Sequence, residues 1–411
     1  MKTIWIVNQY GPIEGENWRD YSYNQIGKYL SEKCGYKVIW WTSNFAHHFK
    51  TYRSNGWKDI YVNEKYIIRL VPTTSYKKNI GIGRFVRDIS YSINAKKRFR
   101  TEDVPDLIIS SMLPMTYGEP TYNYAIKNKI PYIVNTMDIW PEFIEKNLGR
   151  IGRVAHYLFW PNYIRRKHFY ANASGLMALS KNYLEFAKKE AGEVHDKPTA
   201  LVYNGIDVAK FNEAKSLPIP SKALNALKEF DGITCIFAGT LGPSYDVDVM
   251  LKCAEECNNK GYNVRFVIAG SGPRTKDIQL KADELSNLFY LGSLKPTELV
   301  PVYCKCDIGL CAYSSKSNVD MPDKFYDYCA AGLAVVNSLK DEVAEYVKEY
   351  EVGYNYIAEN YESMLECLQL LYNNRDLLNQ MRNHALSLGK NFDSNVQNGK
   401  LRVMIEGILS R

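Results

Sequence analysis

The sequence predicts an α/β protein built from two doubly wound parallel-sheet domains facing a cleft. Three observations predict it. Apolar runs of strand length alternate with longer helical stretches through the first half, the same rhythm restarts in the second half, and glycine-rich turns directly follow two of the later runs. Such alternation gives parallel sheets covered by helices, whose ligands gather at the carboxyl edges of the strands.

The expected strands of the first half are Thr3 to Val7, Lys37 to Thr42, Tyr66 to Val71, Asp106 to Ser110, Tyr132 to Asn135, Gly175 to Leu179 and Ala200 to Tyr203. A Pro-containing join around Ser216 to Ser221 follows the turn Asn204-Gly205, which sets domains at about 1–205 and 206–393. The second series is Ile233 to Ala238, Val264 to Ala269, Leu288 to Leu291, Asp307 to Cys311 and Leu333 to Val336. A last helix, 394–411, sets Leu401, Met404, Ile405 and Ile408 along one side, a stripe that fits either domain.

A chain of 411 residues has room for two or three cores. No run approaches the roughly 18 apolar residues that span a bilayer, and Ile4 to Val7 is too short for a signal-peptide core, so a cytoplasmic location is expected. The nine cysteines, odd in number and set in apolar patterns, read as reduced thiols; Cys304, Cys306 and Cys311 match no metal-ligand spacing. Residues 1–195 hold 29 Lys and Arg against 17 Asp and Glu, whereas residues 196–411 hold 23 against 28, so the halves should meet different partners.

Chemistry concentrates in residues 321–337, MPDKFYDYCAAGLAVVN. Pro322 suits a first helical position, Gly332 a C-terminal cap, and Leu333 to Val336 a buried strand. Asp320, Asp323, Lys324 and Asp327 then recur along one side of the helix start. Free N–H groups and the helix dipole attract anions there, and Lys324 adds a cation, so a diphosphate fits. Asp327, one turn deeper, offers acceptors to a ribose diol. The rival reading is a solvated ion pair contributing about 0.2–0.5 kcal/mol. The turns in IFAGTLGP (236–243) and VIAGSGP (267–273) are neither a dinucleotide fingerprint nor a P-loop.

Taken in order, LVYNGIDVAKF, FAGTLG, VIAGSGP, FYLGSLKPTELVPVYCKCDIGL and MPDKFYDYCAAGLAVV resemble the C-terminal half of glycosyltransferase family 4. The first half resembles it more loosely, through QYGPIEGENWRDYSY and TMDIWPE. The resemblance implies a GT-B fold of two Rossmann-like domains, with the last helix crossing back to the first. It also implies retaining transfer of a sugar from a nucleotide diphosphate, UDP by similarity with GDP still open, to an acceptor alcohol. The donor then belongs to the later half, with Gly239, Thr240 and Gly242 beside the diphosphate and Gly270, Gly292, Ser293 and Leu294 beside the base. Lys324 is to neutralise phosphate and Asp327 to hold the ribose.

Three positions depart from the family pattern. Its E-x7-E pair would begin at Val319, with Asp320 only adjacent; SYDVDVMLK (244–252) lacks the usual cationic phosphate clamps; and Met137-Asp138 replaces a common His-Asp. Asp138 is therefore the catalytic candidate, orienting the acceptor hydroxyl or stabilising oxocarbenium charge, unless it caps a helix near Trp140-Pro141. Gly15 and Glu16, or Glu14, in GPIEGENWR are candidates for approach to the donor and its sugar, or simply belong to a solvated loop. His47 and His48 read as loop residues. Asp246 and Asp248 read as helix capping, and no metal is expected.

The basic, aromatic segments 84–100 and 150–168 suit weak contact with an anionic membrane carrying a lipid-linked acceptor, or else a solvated face; nucleic acid is not expected. The reading is a hexosyl- or N-acetylhexosaminyl-transferase extending a lipid-linked saccharide for lipopolysaccharide or capsule. An epimerase of the same architecture and a non-catalytic nucleotide-sugar-binding subunit remain alternatives.

Overall fold

The computed structural model describes all residues except 17, 18, 20, 21, 78–80, 112–114, 140, 141, 143–151 and 193–195. The chain divides into two compact units, Met1–Asn204 with Asn395–Arg411, and Gly205–Ser394. The crossing falls at Asn204-Gly205 rather than at Ser216 to Ser221, a stretch that lies wholly within the second unit and leads into a short 3-10 turn.

The first unit carries β1 (Thr3–Val7), β2 (Lys37–Ser43), β3 (Phe45–Ala46), β4 (Thr51–Tyr52), β5 (Lys58–Asn63), β6 (Tyr66–Val71), β7 (Leu107–Ser111), β8 (Tyr132–Thr136), β9 (Gly175–Ala178) and β10 (Thr199–Leu201). Eight of these form one sheet in the order β10-β9-β8-β7-β1-β2-β6-β5, parallel except for β5 against β6. β3 and β4 form a separate antiparallel pair. The central strands are buried on both faces, as their unbroken apolar runs require. The terminal helix Ser394–Leu409 seals one face: Leu401, Met404, Ile405 and Ile408 join the cluster of Ile4, Ile6, Ile133 and Met177.

The second unit carries β11 (Ile233–Ala238), β12 (Val264–Ala269), β13 (Leu288–Gly292), β14 (Ile308–Cys311), β15 (Ala334–Asn337) and β16 (Gly353–Asn355). They form an all-parallel sheet, β13-β12-β11-β14-β15-β16. The order reverses at β11 and β14, and such a switch point opens a crevice at the carboxyl ends of the strands. The glycine turns and the helix Asp323–Ala331 lie at that end. Cys235, Cys306 and Cys311 are buried, reduced packing residues, while Cys304 is half-buried and also free.

Candidate active site

Three loops leave β11, β12 and β13 and stack backbone on backbone. The Gly239 amide donates to the Ala269 carbonyl at 3.0 Å, the Leu241 amide to Ser271 at 3.0 Å, and the Gly270 amide to Gly292 at 2.8 Å. Gly270 has φ +142°, and a Cβ there would stand 1.8 Å from the Gly239 carbonyl oxygen, so no other residue fits. Gly270→Ala is therefore expected to cost about 3 kcal/mol or more, read as a shift of the urea midpoint. Thr240 is exposed at the rim, Gly242 is buried beneath it, and Leu294 is half-buried beyond Gly292.

The helix Asp323–Ala331 begins after Pro322, which takes the cap position one residue before the expected one, and ends at Gly332 with φ +70°. Lys324 does not lie on the solvated face of the rival ion-pair reading. It is 8% exposed and curls inward, its Nζ 3.7, 4.6 and 4.9 Å from the ring centroids of Phe237, Tyr245 and Tyr313. A Cβ on Gly239 would come within 3.1 Å of that Nζ, so the ammonium reaches the first glycine turn. It has no hydrogen-bond partner. Burial lowers its pKa to about 7. A buried cation held only by ring faces lacks the directional partners such a charge normally requires. Asp320, Asp323 and Asp327 are half-buried, with Asp320 ahead of the helix and Val319 exposed.

Both aspartates after FAGTLG, Asp246 and Asp248, are engaged by partners within the second unit. Asp246 sits at the N-cap of the helix Val247–Asn259 yet makes no capping bond; its carboxylate accepts from Tyr356 Oη at 2.9 Å and the Glu359 amide at 3.0 Å, which corrects the expected capping role. Asp248 receives Arg274 through both terminal nitrogens, at 2.5 and 3.0 Å. Among the described residues no group of three or more His, Cys, Asp or Glu is arranged to hold a metal.

In the first unit, Asp138 lies two residues beyond β8, at the carboxyl edge of its sheet. Its side chain is solvent-accessible, but the protein around it raises the carboxyl to about 6 by desolvation, against the pull of Arg84. Met137, in the place of the family histidine, packs on the core. The helix start that Asp138 might cap, at 140 and 141, lies outside the described residues.

The loop 11–19 is only partly as expected. Gly15 turns at φ +82° with open space around it. Glu16 is not a free sugar ligand: it grips Arg53 at 2.8 Å through both oxygens and accepts from the Ile13 amide at 3.0 Å, tying the loop to the β4 turn. Glu14 pairs with Lys28. His47 and His48 lie in the turn between β3 and β4, as expected of loop residues, and His47 Nδ1 shares a hydrogen bond with Tyr76 Oη. The rings around Lys324, drawn from within β11 and from beyond β11 and β14, and the partners of Glu16 carry no local sequence signal.

A surface depression of about 750 Å³ in the second unit, lined by Asn225, Lys276, Gln279, Leu280, Asp283 and Phe289 among others, contains none of these site residues. Volume alone is a poor guide here.

With that geometry in hand, comparison with known proteins places the fold. Residues 225–387 match the family "Glycosyl transferases group 1". No curated protein matches the sequence. Among solved structures, sucrose-phosphate synthase from Thermosynechococcus elongatus superposes with a TM-score of 0.73 at 11% identity, covering 100% of both chains. HepE from Anabaena in complex with UDP and glucose gives 0.66 at 13% identity over 99% of this chain and 100% of that one. WaaG, a glycosyltransferase involved in lipopolysaccharide biosynthesis, gives 0.63 at 15% over 98% and 100%. The architecture is that of the GT-B glycosyltransferases. The second unit carries the group 1 glycosyltransferase domain.

Proposed function

We propose that the chain is a retaining transferase of glycosyltransferase family 4. It moves a hexosyl or N-acetylhexosaminyl group from a UDP-sugar to a lipid-linked glycan in surface polysaccharide assembly. The observation that carries this reading is Lys324, a buried ammonium without a hydrogen-bond partner, set at a helix start against the Gly239 turn. A diphosphate supplies the acceptor oxygens that this cation lacks. Gly239, Thr240 and Gly242 then border the diphosphate, Gly270, Gly292 and Leu294 the base, Asp327 the ribose, and Asp320 the donor sugar. In the first unit, Glu16 fixes the loop that carries Gly15 through Arg53. HepE, solved with UDP-glucose, supports UDP over GDP.

In the transfer, the bond from the anomeric carbon to the diphosphate oxygen breaks and UDP departs with the electron pair. The acceptor oxygen bonds the anomeric carbon on the same face, and its proton passes to the departing phosphate. Asp138 orients the hydroxyl and stabilises positive charge on the ring.

A lipid-linked acceptor calls for contact with the inner face of a membrane. Among the described residues no helix is long and apolar enough to cross one. The helix Ile82–Phe99 buries Tyr91, Ala95 and Phe99 in the core, but its first turns are reversed in polarity: Arg87 and Asp88 are buried, while Ile82, Phe85, Val86, Ile89 and Ile93 are exposed along one side and Lys96, Lys97 and Arg98 flank them. The helix Gly152–Asn172 exposes Tyr157, Trp160 and Ile164 beside Arg165 and Lys167. Arg166 is removed from the expected basic face, since it is buried against Glu142 and Glu190 at 2.7 and 2.9 Å. Arg150 and Ile151 lie outside the described residues, as do the side chains of Arg153, Val154, Ala155 and Leu158. Ile82→Ser with Phe85→Ser is expected to lower binding to phosphatidylglycerol vesicles about tenfold or more, measured by sedimentation, because each buried side chain contributes on the order of 1.5–3 kcal/mol.

The decisive assay is a panel of UDP- and GDP-sugars. A bound donor at 100 times its Kd should stabilise the protein by about 2.7 kcal/mol, and slow donor hydrolysis or transfer should follow. An isomerised donor would point to an epimerase, binding without turnover to a silent subunit, and no stabilisation by any nucleotide would sink the reading.

A further inference from the structure

At the carboxyl edge of the first sheet, three cations gather over two tyrosine rings that the donor reading leaves unused. Lys50 Nζ lies 4.2 Å from the Tyr76 centroid. The guanidinium carbons of Arg84 and Arg87 lie 5.3 and 4.8 Å from the Tyr10 centroid, and that of Arg87 is 5.7 Å from Tyr76. Arg84 Nε also donates to Tyr10 Oη at 3.2 Å. Asp88 answers them with a single buried carboxylate, accepting from Gln9 Nε2 at 2.7 Å, Tyr10 Oη at 3.2 Å and Arg87 Nη1 at 3.3 Å. Arg87 is fully buried, and its Nε has no hydrogen-bond partner.

Several features of this cluster are unfavourable on their own. Lys50 adopts φ +57°, a left-handed backbone conformation that residues with a Cβ disfavour. Its ammonium is held in the field of Arg84 and Arg87, and desolvation together with that field lowers its pKa. His47, whose Nδ1 is 3.5 Å from Lys50 Nζ, is kept neutral by burial and then by Lys50, His48, Arg84 and Arg87, with its pKa pushed down to about 3. An anion placed among these groups would offset the electrostatic costs, by neutralising the cations and accepting their hydrogen bonds.

We propose that Lys50, Arg84 and His47, backed by Arg87 and the rings of Tyr10 and Tyr76, form an anion subsite that takes a phosphate or pyrophosphate group of the acceptor. The inference rests on the proposed function only in assigning that phosphate to the acceptor. Arg84 is also the cation that acts on Asp138, so a phosphate held here leaves the adjoining sugar beside the candidate catalytic carboxylate. The same helix that supplies Arg84 and Arg87 exposes Ile82, Phe85 and Val86 on its other side, which suits a phosphate borne on a lipid.

The test follows the His47 ring by NMR in the full chain, its signal assigned among six histidines by its loss in His47→Gln. Inorganic pyrophosphate is expected to shift that signal saturably without any nucleotide present, and Lys50→Ala and Arg84→Ala to weaken the effect about 10- to 100-fold each. Because the readout needs no donor, failure here and failure to bind a nucleotide sugar are separate results. Glucose 6-phosphate and a prenyl pyrophosphate in neutral detergent are the two further arms. A saturable shift with either supports the subsite and tells a soluble acceptor phosphate from a lipid-borne one. An equal shift with sodium chloride at matched ionic strength, an unchanged affinity in both variants, or a response to phosphatidylglycerol vesicles alone would overturn the proposal.

Discussion

Replacing Lys324 by methionine is expected to weaken donor binding about 100-fold and, in the same protein, to stabilise the ligand-free fold. The two effects have one cause. The lysine ammonium sits among Phe237, Tyr245 and Tyr313 with no hydrogen-bond partner, so in the absence of ligand the chain bears the cost of burying a charge. Methionine fills the same space without that cost, and a gain of about 2 kcal/mol in the urea-derived stability is expected near neutral pH. The sign with pH follows from the lowered pKa of about 7 against the ordinary lysine value of 10.5. Below about 7 both folded and unfolded chains are protonated and the penalty is felt in full. Between 7 and 10.5 the folded chain sheds its proton first, and the penalty shrinks until it vanishes. Wild-type stability, relative to Lys324→Met, should therefore rise across that window. Donor affinity should move the opposite way on mutation, falling by about 3 kcal/mol, or roughly 100-fold, since a buried charge-assisted contact with the diphosphate is lost. A variant that was less stable and bound UDP normally would show that the ammonium is a packing device.

Much of this geometry was legible in the sequence, and what was not has a common origin. Strand ends matched to within one or two residues where the apolar runs were long, as at β1, β6, β11 and β12. β5 was missed because Lys58–Asn63 is an exposed, half-polar edge, and β16 because three residues beginning with glycine carry no periodic signal. Gly270 could be singled out because a turn tight enough to exclude a Cβ leaves only one residue type. For Lys324 the sequence leaves a diphosphate ligand and a solvated ion pair as rival readings, and the structure removes the solvated face: helical spacing fixes where a Cβ points, yet a four-carbon stem can turn inward when rings from distant parts of the chain make a cage. Glu16 failed for the same reason, since Arg53 lies on another loop and no local spacing announces it. Tertiary partners of long polar side chains are what the one-dimensional pattern leaves open.

Asp138→Asn is expected to keep the fold and the donor affinity while lowering kcat by about 10²- to 10⁴-fold, the usual worth of a positioned carboxylate that acts on a transferring proton or a developing charge. The amide keeps the size of the side chain and loses both the negative charge and one acceptor, so a structural role and an electrostatic one give different results. Desolvation raises the carboxyl to about 6, with Arg84 opposing. Activity that depends on its charge should therefore fall as pH drops through about 6, rather than through the ordinary carboxylate range near 4, and the Asn variant should lack that limb altogether. Arg84→Ala offers a second handle on the same group. Removing the cation that favours the ionised form should move the acid limb upward, toward neutral pH, whereas a carboxylate that merely capped a helix would leave the profile unmoved. If the wild-type profile shows no limb above pH 5, or if Asp138→Asn retains full turnover, the charge at this position is not part of the transfer step. The acceptor hydroxyl must then be oriented by the departing phosphate alone.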